Sequence, residues 1–320
     1  MTVLITGGTG FIGAGIARKM VEQGREVVLF EAYPNLNIIE DIKDEVKLVR
    51  GDVSNWAEVL DTVKSYKIKE IYHTAALLSD NAEKFPHKAY QVNATGTWHV
   101  LEAARLFEVG KVIFTSTVGT YGDHVSTPVT NHAPQFPRIM YGATKVAGER
   151  LGEYYFYRFG VNFRGIRFPS VIGPGRGSGG VSAYTTLAIQ MPAQGRAFDI
   201  YVSPESSLPV LYIDDAARAL LMLSEAPEEN LTSRMYNLKG IACTAQEIVD
   251  QVTKFIPDAG LRFVPDEKIT EMVDRLPALM DESLAKKDWG WEESFELASL
   301  IKTFIEGVQK YPQRYTVILE

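Results

Sequence analysis

The sequence predicts an α/β fold, a doubly wound parallel sheet with a smaller, mostly helical cap. Three observations predict it. Short β-branched runs alternate with longer helical patterns through the first half of the chain. Those runs are continuously apolar, as strands become when helices cover both faces of a sheet. Repetition of strand, helix and strand then implies parallel pairing through right-handed crossovers.

Val3–Thr6 reads as the first strand and Ile12–Glu22 as the first helix, with further strands at Val27–Glu31 and Val46–Val49. Trp56–Ser65 is a helical pattern, Glu70–His73 a strand and Lys88–Phe107 one long helix. Lys111–Ser116, Tyr141–Phe159 and Asn162–Arg167 repeat strand, helix and strand. After Pro169 the pattern loosens into a glycine-rich loop over Ile172–Gly180. A helix is expected near Tyr184–Gln194, a strand at Val210–Ile213, a helix over Asp214–Glu225 capped by Asp214, and a strand at Met235–Leu238. From Thr244 to Tyr311 the chain reads as mostly helical. It opens on the capping-box pattern Thr244-Ala245-Gln246-Glu247, ahead of an apolar face of Ile248, Val252 and Phe255. Two units follow: residues 1–168 with 214–240 carrying the large sheet, and 169–213 with 241–320 forming the cap.

Composition narrows the function classes. The chain has 320 residues, 46% of them apolar, enough for a substantial core. A net charge of -7 disfavours binding to a phosphate backbone, so no nucleic-acid partner is expected. With Cys243 as the single cysteine no internal disulfide forms, which suits a reducing cytoplasm. Cys243 itself reads as a small packed hydrophobe. Met1 runs at once into Val3-Leu4-Ile5, with no secretory pattern and no apolar run that would span a bilayer, so no membrane partner is expected. The histidines His73, His87, His99, His124 and His132 show no ligand spacing, and no metal is expected. Asp41–Glu45 mixes charges as a solvated face does.

The first strand feeds Gly7-Gly8-Thr9-Gly10-Phe11-Ile12-Gly13, and a helix starts there. Glycines at 7, 10 and 13 let the backbone turn tightly and approach a pyrophosphate. The helix start at Phe11 and Ile12 offers free N–H groups and a positive dipole end. Glu31 ends the second strand 18 residues past Gly13, where a carboxylate accepts from an adenine ribose diol and repels a ribose phosphate. The strand, glycines, helix and acid together predict a Rossmann-type dinucleotide site that takes NAD rather than NADP. Asp52, beside Val53, either reaches the adenine amino group or caps the next helix. Ala75 and Ala76 end the fourth strand, where small residues let a cofactor cross the sheet edge. His73, just before them, reads as structural.

Tyr141-Gly142-Ala143-Thr144-Lys145 places a tyrosine and a lysine on one face at a helix start. A phenol titrates near pH ~10, and an adjacent ammonium with the positive nicotinamide favours its anion. Bringing it to about 7 takes roughly 4 kcal/mol. The fifth strand ends in Thr115-Ser116-Thr117, and strand C-termini face the ligand in this architecture. Thr117 is the expected partner of the reacting oxygen, with Ser116 and Thr115 as fallbacks. Asn93 stands within a helical pattern that disfavours it, which points to a backbone or proton-relay role.

Gly7–Gly13, Asp52, Asn93, Ser116–Gly122, Tyr141 and Lys145 together resemble the extended short-chain dehydrogenases/reductases, the NAD-dependent epimerase/dehydratase group. The resemblance runs from the first strand to about Tyr311. It implies bound NAD, a Tyr141–Lys145 catalytic pair with Thr117, and a homodimer through helices near 88–107 and 141–159. The aromatic run Tyr154–Tyr157 suits such an interface or a core. Within the family, Ala76–Ser79, Arg167–Pro169, Leu208–Asp215 and Lys287–Trp291 are similar to the short-chain L-threonine 3-dehydrogenase branch. That likeness implies that Ser79, Thr117, Ser182 and Tyr184 meet a small-molecule substrate. It also implies that the Phe168–Val171 backbone holds the nicotinamide amide.

The chain departs from that branch where Val181-Ser182-Ala183 replaces a threonine- and aspartate-bearing run, and where Leu276 replaces a tryptophan. Removing those polar groups would leave a charged amino acid poorly paired. The expected reaction is therefore oxidation of a small secondary alcohol rather than of threonine in particular. The rival is a nucleotide-sugar epimerase with tightly held NAD, whose loop Ile172–Arg176 resembles. In that reading Arg176 or Arg234 serves a phosphate; otherwise both are surface charges. A third reading is an NAD-binding regulator without chemistry, against which Tyr141, Lys145 and Thr117 all speak.

Overall fold

The computed structural model describes residues 1–122, 125–177, 179–312 and 315; His124 and Ser178 lie outside the described residues. Six strands of the first half, β1 (Thr2–Thr6), β2 (Glu26–Glu31), β3 (Val46–Arg50), β4 (Glu70–His73), β5 (Lys111–Thr117) and β6 (Phe163–Phe168), fall within one residue of the expected spans. Shorter strands follow: β7 (Ser170–Ile172), β8 (Phe198–Ile200), β9 (Ser207–Tyr212), β10 (Met235–Asn237), β11 (Ile241–Thr244) and β12 (Leu261–Phe263). The large sheet is seven-stranded and parallel, in the order β10-β6-β5-β4-β1-β2-β3. Strand order reverses at β1, which lies between β2 and β4, and a crevice opens at the strand C-termini there.

The helices are α1 (Phe11–Glu22), α2 (Trp56–Ser65), α3 (Ser79–Lys84), α4 (Pro86–Ala89), α5 (Gly96–Leu106), α6 (Met140–Phe159), α7 (Tyr184–Ala193), α8 (Ile213–Glu225), α9 (Ala245–Phe255), α10 (Glu267–Asp274), α11 (Ser283–Trp289) and α12 (Leu297–Lys310). Side chains alternate across a strand, so β1 feeds two cores. Val3 and Ile5 pack with Ala14 and Ala17 of α1 and Leu220 of α8. Leu4 faces the other way, with Val59 and Val63 of α2 and Val100 of α5. Each buried valine, leucine or isoleucine among them is worth roughly 1.5–3 kcal/mol. β3 is the exception to two-sided burial, because it is the sheet edge and Lys47, Leu48 and Arg50 stay exposed.

Several expectations are corrected. The long helix over 88–107 is interrupted: Tyr90–Thr95 forms a π-helical turn between α4 and α5. The Asn93 side chain there leaves the helix to bond elsewhere. Asp214 does not cap α8, whose cap position is Tyr212 with no side-chain bond; Asp214 lies in the first turn, where its charge still suits the dipole. The region after Thr244 is mostly helical, as expected, and adds one short strand, β12, which pairs with β8. β7, β9 and β11 form a separate three-stranded sheet beside the crevice. The capping box at Thr244 and Glu247 is present, with bonds of 3.1 and 2.7 Å.

α6 lies unusually near the large sheet. A Cβ on Gly152 would sit 2.2 Å from the Phe163 ring, so only glycine allows this approach. The first two turns of α6, with Tyr141 and Lys145, lie beside the end of β5, where the Lys145 ammonium meets the Thr115 carbonyl. Cys243 is buried, and burial pushes its thiol up to about 12, as suits a packing residue.

Candidate active site

One cavity of about 510 Å³ runs across the strand C-termini. Its first end is the glycine turn. A Cβ on Gly13 would stand 2.2 Å from the Gly7 carbonyl oxygen, so the turn closes only with glycine at that position. Gly7, Gly10, Phe11, Ile12 and Gly13 line the cavity at the N-terminus of α1. Glu31 lines it too, and is held in place: one carboxylate oxygen accepts from the Thr9 N–H and hydroxyl at 3.3 and 3.2 Å, the other from the Ala32 N–H at 3.1 Å. An accepting carboxylate over a cradle of backbone N–H groups fits the adenosine half of a dinucleotide.

Asp52 and Val53 line the same end. Asp52 does not cap α2, because Asn55 does. Its carboxylate instead accepts from the Ser54 N–H and hydroxyl, at 2.8 and 2.7 Å, and from Lys88 at 2.9 Å. Burial works against its charge, but these bonds hold its pKa below the usual value. Ala75 and Ala76 line the middle.

At the other end lie Thr115, Ser116, Thr117, Tyr141, Lys145, Phe168 and Val171. The three hydroxyls of β5 differ in what they are free to do. Thr115 donates to the His73 carbonyl at 3.2 Å, and Ser116 donates to Glu149 at 2.5 Å. Thr117 Oγ1 accepts from the Gly119 N–H at 3.1 Å, which leaves its own hydrogen for a ligand. Lys145 is buried; its ammonium donates to the Thr115 carbonyl at 2.7 Å and stands 5.7 Å from the Tyr141 ring centre. Burial lowers its pKa to about 7, with Glu149 opposing.

In the free protein Tyr141 lacks the positive nicotinamide that the sequence expectation includes. Burial raises its pKa above the ordinary value, and the opposing charge is Arg176 rather than Lys145. The free protein therefore holds Tyr141 as the phenol at neutral pH.

The remaining expectations divide. Ser79 and Ser182 line the cavity. Tyr184 does not: it is buried at the start of α7, edge-on to Tyr201, with no bond to its hydroxyl among the described residues. Asn93 does not line the cavity either. Its amide receives the Leu77 N–H at 2.8 Å and donates to the Leu77 carbonyl and to Thr144, both at 3.0 Å, which ties the loop after β4 to α6. Arg234 is paired with Glu228 at 2.6 Å and stacked on Phe156, away from the cavity. Arg176 is half-buried and lines the reacting end. Tyr33, Lys88 and Ile139 also line the cavity without having been expected to, and Pro209 and Leu276, given no site role by the sequence, join them. Lys88 comes from the short helix α4 and the others from loops and the cap, where no local pattern marks them.

His73 is structural, as expected, between Thr6 Oγ1 at 2.7 Å and Thr97 Oγ1 at 3.0 Å. Burial lowers its pKa from 6.5 to about 3, with Lys145 adding to the effect. The unfolded chain takes up a proton that the folded one refuses. This contribution is intact above pH 6.5 and is lost as pH falls from there towards 3. Acidification from pH 7 to pH 5 is expected to cost about 2 kcal/mol through this residue. In urea titrations at both pH values, His73→Gln should lose correspondingly less stability on acidification. An equal loss in the variant would contradict this.

Residues 3–238 match the NAD dependent epimerase/dehydratase family. The chain is 33% identical over 311 residues to a mitochondrial L-threonine 3-dehydrogenase of Bos taurus, covering 95% of this chain and 81% of that protein. It superposes on an L-threonine dehydrogenase from Phytophthora infestans with a TM-score of 0.88 at 30% identity, over 97% of this chain and 99% of that one. A UDP-glucose 4-epimerase from Thermotoga maritima shares the fold, with a TM-score of 0.86 at 24% identity over 98% and 100% of the two chains. With the glycine turn, Glu31 and the Tyr141–Lys145 pair on one cavity, the chain belongs to the NAD dependent epimerase/dehydratase family and is an NAD-dependent enzyme of the extended short-chain dehydrogenase/reductase type.

Proposed function

We propose that the protein oxidises a small secondary alcohol, with Tyr141 taking the hydroxyl proton. The observation that carries this reading is the meeting of Tyr141, Lys145 and the uncommitted Thr117 hydroxyl at one end of a cavity whose other end is the glycine turn and Glu31. Bound NAD supplies the two-electron acceptor. Thr117 donates to the carbinol oxygen and holds it beside Tyr141. Lys145 binds the nicotinamide ribose, and its ammonium, with the cofactor's positive ring, brings the Tyr141 phenol towards the neutral range. Glu31 and Asp52 serve the adenosine, while the Phe168–Val171 backbone holds the carboxamide. Ser79 and Ser182 face the substrate. Asn93 acts behind them as a positioning residue.

The L-threonine 3-dehydrogenase relatives make threonine the first alcohol to test. The apolar Val181 and Leu276 in the cavity wall favour a wider panel. The purified protein is to be given NAD with threonine, other hydroxy acids, amino alcohols and nucleotide sugars. NADH accumulating with a small alcohol supports the reading. Sugar-nucleotide isomerisation without NADH release would replace it with epimerisation.

The unit of residues 1–168 with 214–240 would bind the dinucleotide, and 169–213 with 241–320 the substrate. The place of β10 beside β6 supports that division. A homodimer through α5 and α6 is supported by Trp98, Tyr154 and Tyr157, which are exposed on those helices. A cytoplasmic location is supported by the unpaired, buried Cys243.

A further inference from the structure

Arg176 stands at the reacting end of the cavity with bonds to neutral groups only, among the described residues. Its guanidinium donates to the Ser182 hydroxyl at 2.8 Å, the Ser182 carbonyl at 3.2 Å and Thr186 Oγ1 at 3.4 Å. These contacts fix its direction without neutralising it, and its charge reaches Tyr141. Asp80 is the acid whose charge reaches Arg176, but its carboxylate accepts from the Gly180 N–H at 2.6 Å and does not line the cavity. Of the charged residues lining the cavity, Glu31, Asp52 and Lys88 belong to the adenosine end, where Lys88 is bound to Asp52. The reacting end has Lys145 and Arg176 and no acid among its charged lining residues, against an apolar wall that includes Leu77, Leu78, Val118 and Leu276.

Withdrawing a cation from water without a counter-charge is costly; Arg176 is half-buried, and a ligand that closes over it and supplies the charge recovers that cost. A planar guanidinium with donors to spare matches a carboxylate in a paired, two-bond geometry. An ammonium at the same end would meet the permanent positive charge of Arg176.

The geometry points to Arg176 as the anchor of a substrate carboxylate, and to a short hydroxy carboxylate lacking an ammonium as the substrate class. This inference rests on the dehydrogenase reading. The reaction is balanced by NAD alone: the carbinol C–H and O–H bonds break, a C=O bond forms, the proton goes to Tyr141 and the electron pair with its hydrogen goes to NAD.

The test compares wild type with Arg176→Met and Arg176→Lys on 3-hydroxybutyrate, lactate, threonine and the methyl ester of 3-hydroxybutyrate, following NADH. Wild type should prefer at least one hydroxy acid to both threonine and the ester. Arg176→Met should lower kcat/KM for that acid about 30-fold, mainly through KM, with Arg176→Lys in between and the ester within about threefold of wild type. The affinity for NAD should not move. Preference for threonine, or equal losses on acid and ester, would overturn the inference and leave the dehydrogenase reading standing. If no member of the panel yields NADH, that reading fails. The anchor is then judged by calorimetric binding of 3-hydroxybutyrate to the NAD-loaded protein: binding weakened about 30-fold in Arg176→Met supports it, and equal binding overturns it.

Discussion

Tyr141→Phe is expected to lower kcat for the preferred alcohol about a thousandfold while leaving NAD affinity within about threefold. The variant keeps the ring, and so the packing at the start of α6, and removes only the oxygen that accepts the proton. The free phenol is held above its ordinary pKa by burial, with Arg176 opposing. Activity should therefore climb with pH across the neutral range as the phenolate forms in the loaded enzyme. Lys145 sets the other limit, since its ammonium titrates at about 7 in the free protein. Cofactor binding that depends on that ammonium should weaken as pH rises through this value. Stopped-flow NADH formation together with cofactor titration separates the two effects. A phenylalanine variant retaining a third or more of the wild-type rate would remove Tyr141 from the chemistry.

Glu149→Ala should destabilise the protein by about 3–5 kcal/mol. Glu149 is fully buried on α6, one turn after Lys145, and accepts from Ser116 on β5 and from Arg167 Nε and Nη2 on β6 at 2.5 to 3.1 Å. Gln135 adds a bond at 3.0 Å. Truncation leaves the Arg167 guanidinium buried without its counter-charge, although Tyr121 and the Asn131 carbonyl still bind it. Glu149 also joins α6 to the strand end that carries Thr117, so kcat should fall with stability. Urea unfolding of wild type, Glu149→Ala and the double variant with Arg167→Met measures this. The double variant should recover part of the loss, because it no longer strands a charge. A single-variant loss below about 1 kcal/mol would contradict the account.

The large sheet was legible because its strands are apolar on both faces and its helices are long. The same period arguments miss three-residue strands such as β8 and β12, whose pairing is decided by distant partners. The cofactor end was legible for a related reason: Gly7–Gly13 and Glu31 are placed by a strand and a helix contiguous in sequence. The substrate end was not. Arg176, Leu276 and Pro209 arrive from loops and the cap, and their orientation follows from tertiary packing. Tyr184 was misplaced because sequence spacing does not show that α7 begins with its tyrosine turned into the core. Asn93 shows the reverse case. The helix-disfavoured residue did mark something, a π-helical turn and a clamp on Leu77, but it lies behind the cavity wall.

A crystal structure of the protein with NAD decides most directly whether one cavity joins the dinucleotide to the tyrosine. The expected complex has the adenosine ribose hydroxyls on the Glu31 carboxylate and the pyrophosphate over the N-terminus of α1. Its nicotinamide ribose lies within hydrogen-bond reach of Tyr141 and Lys145. A dinucleotide bound elsewhere, or one whose nicotinamide lies away from both side chains, would contradict it.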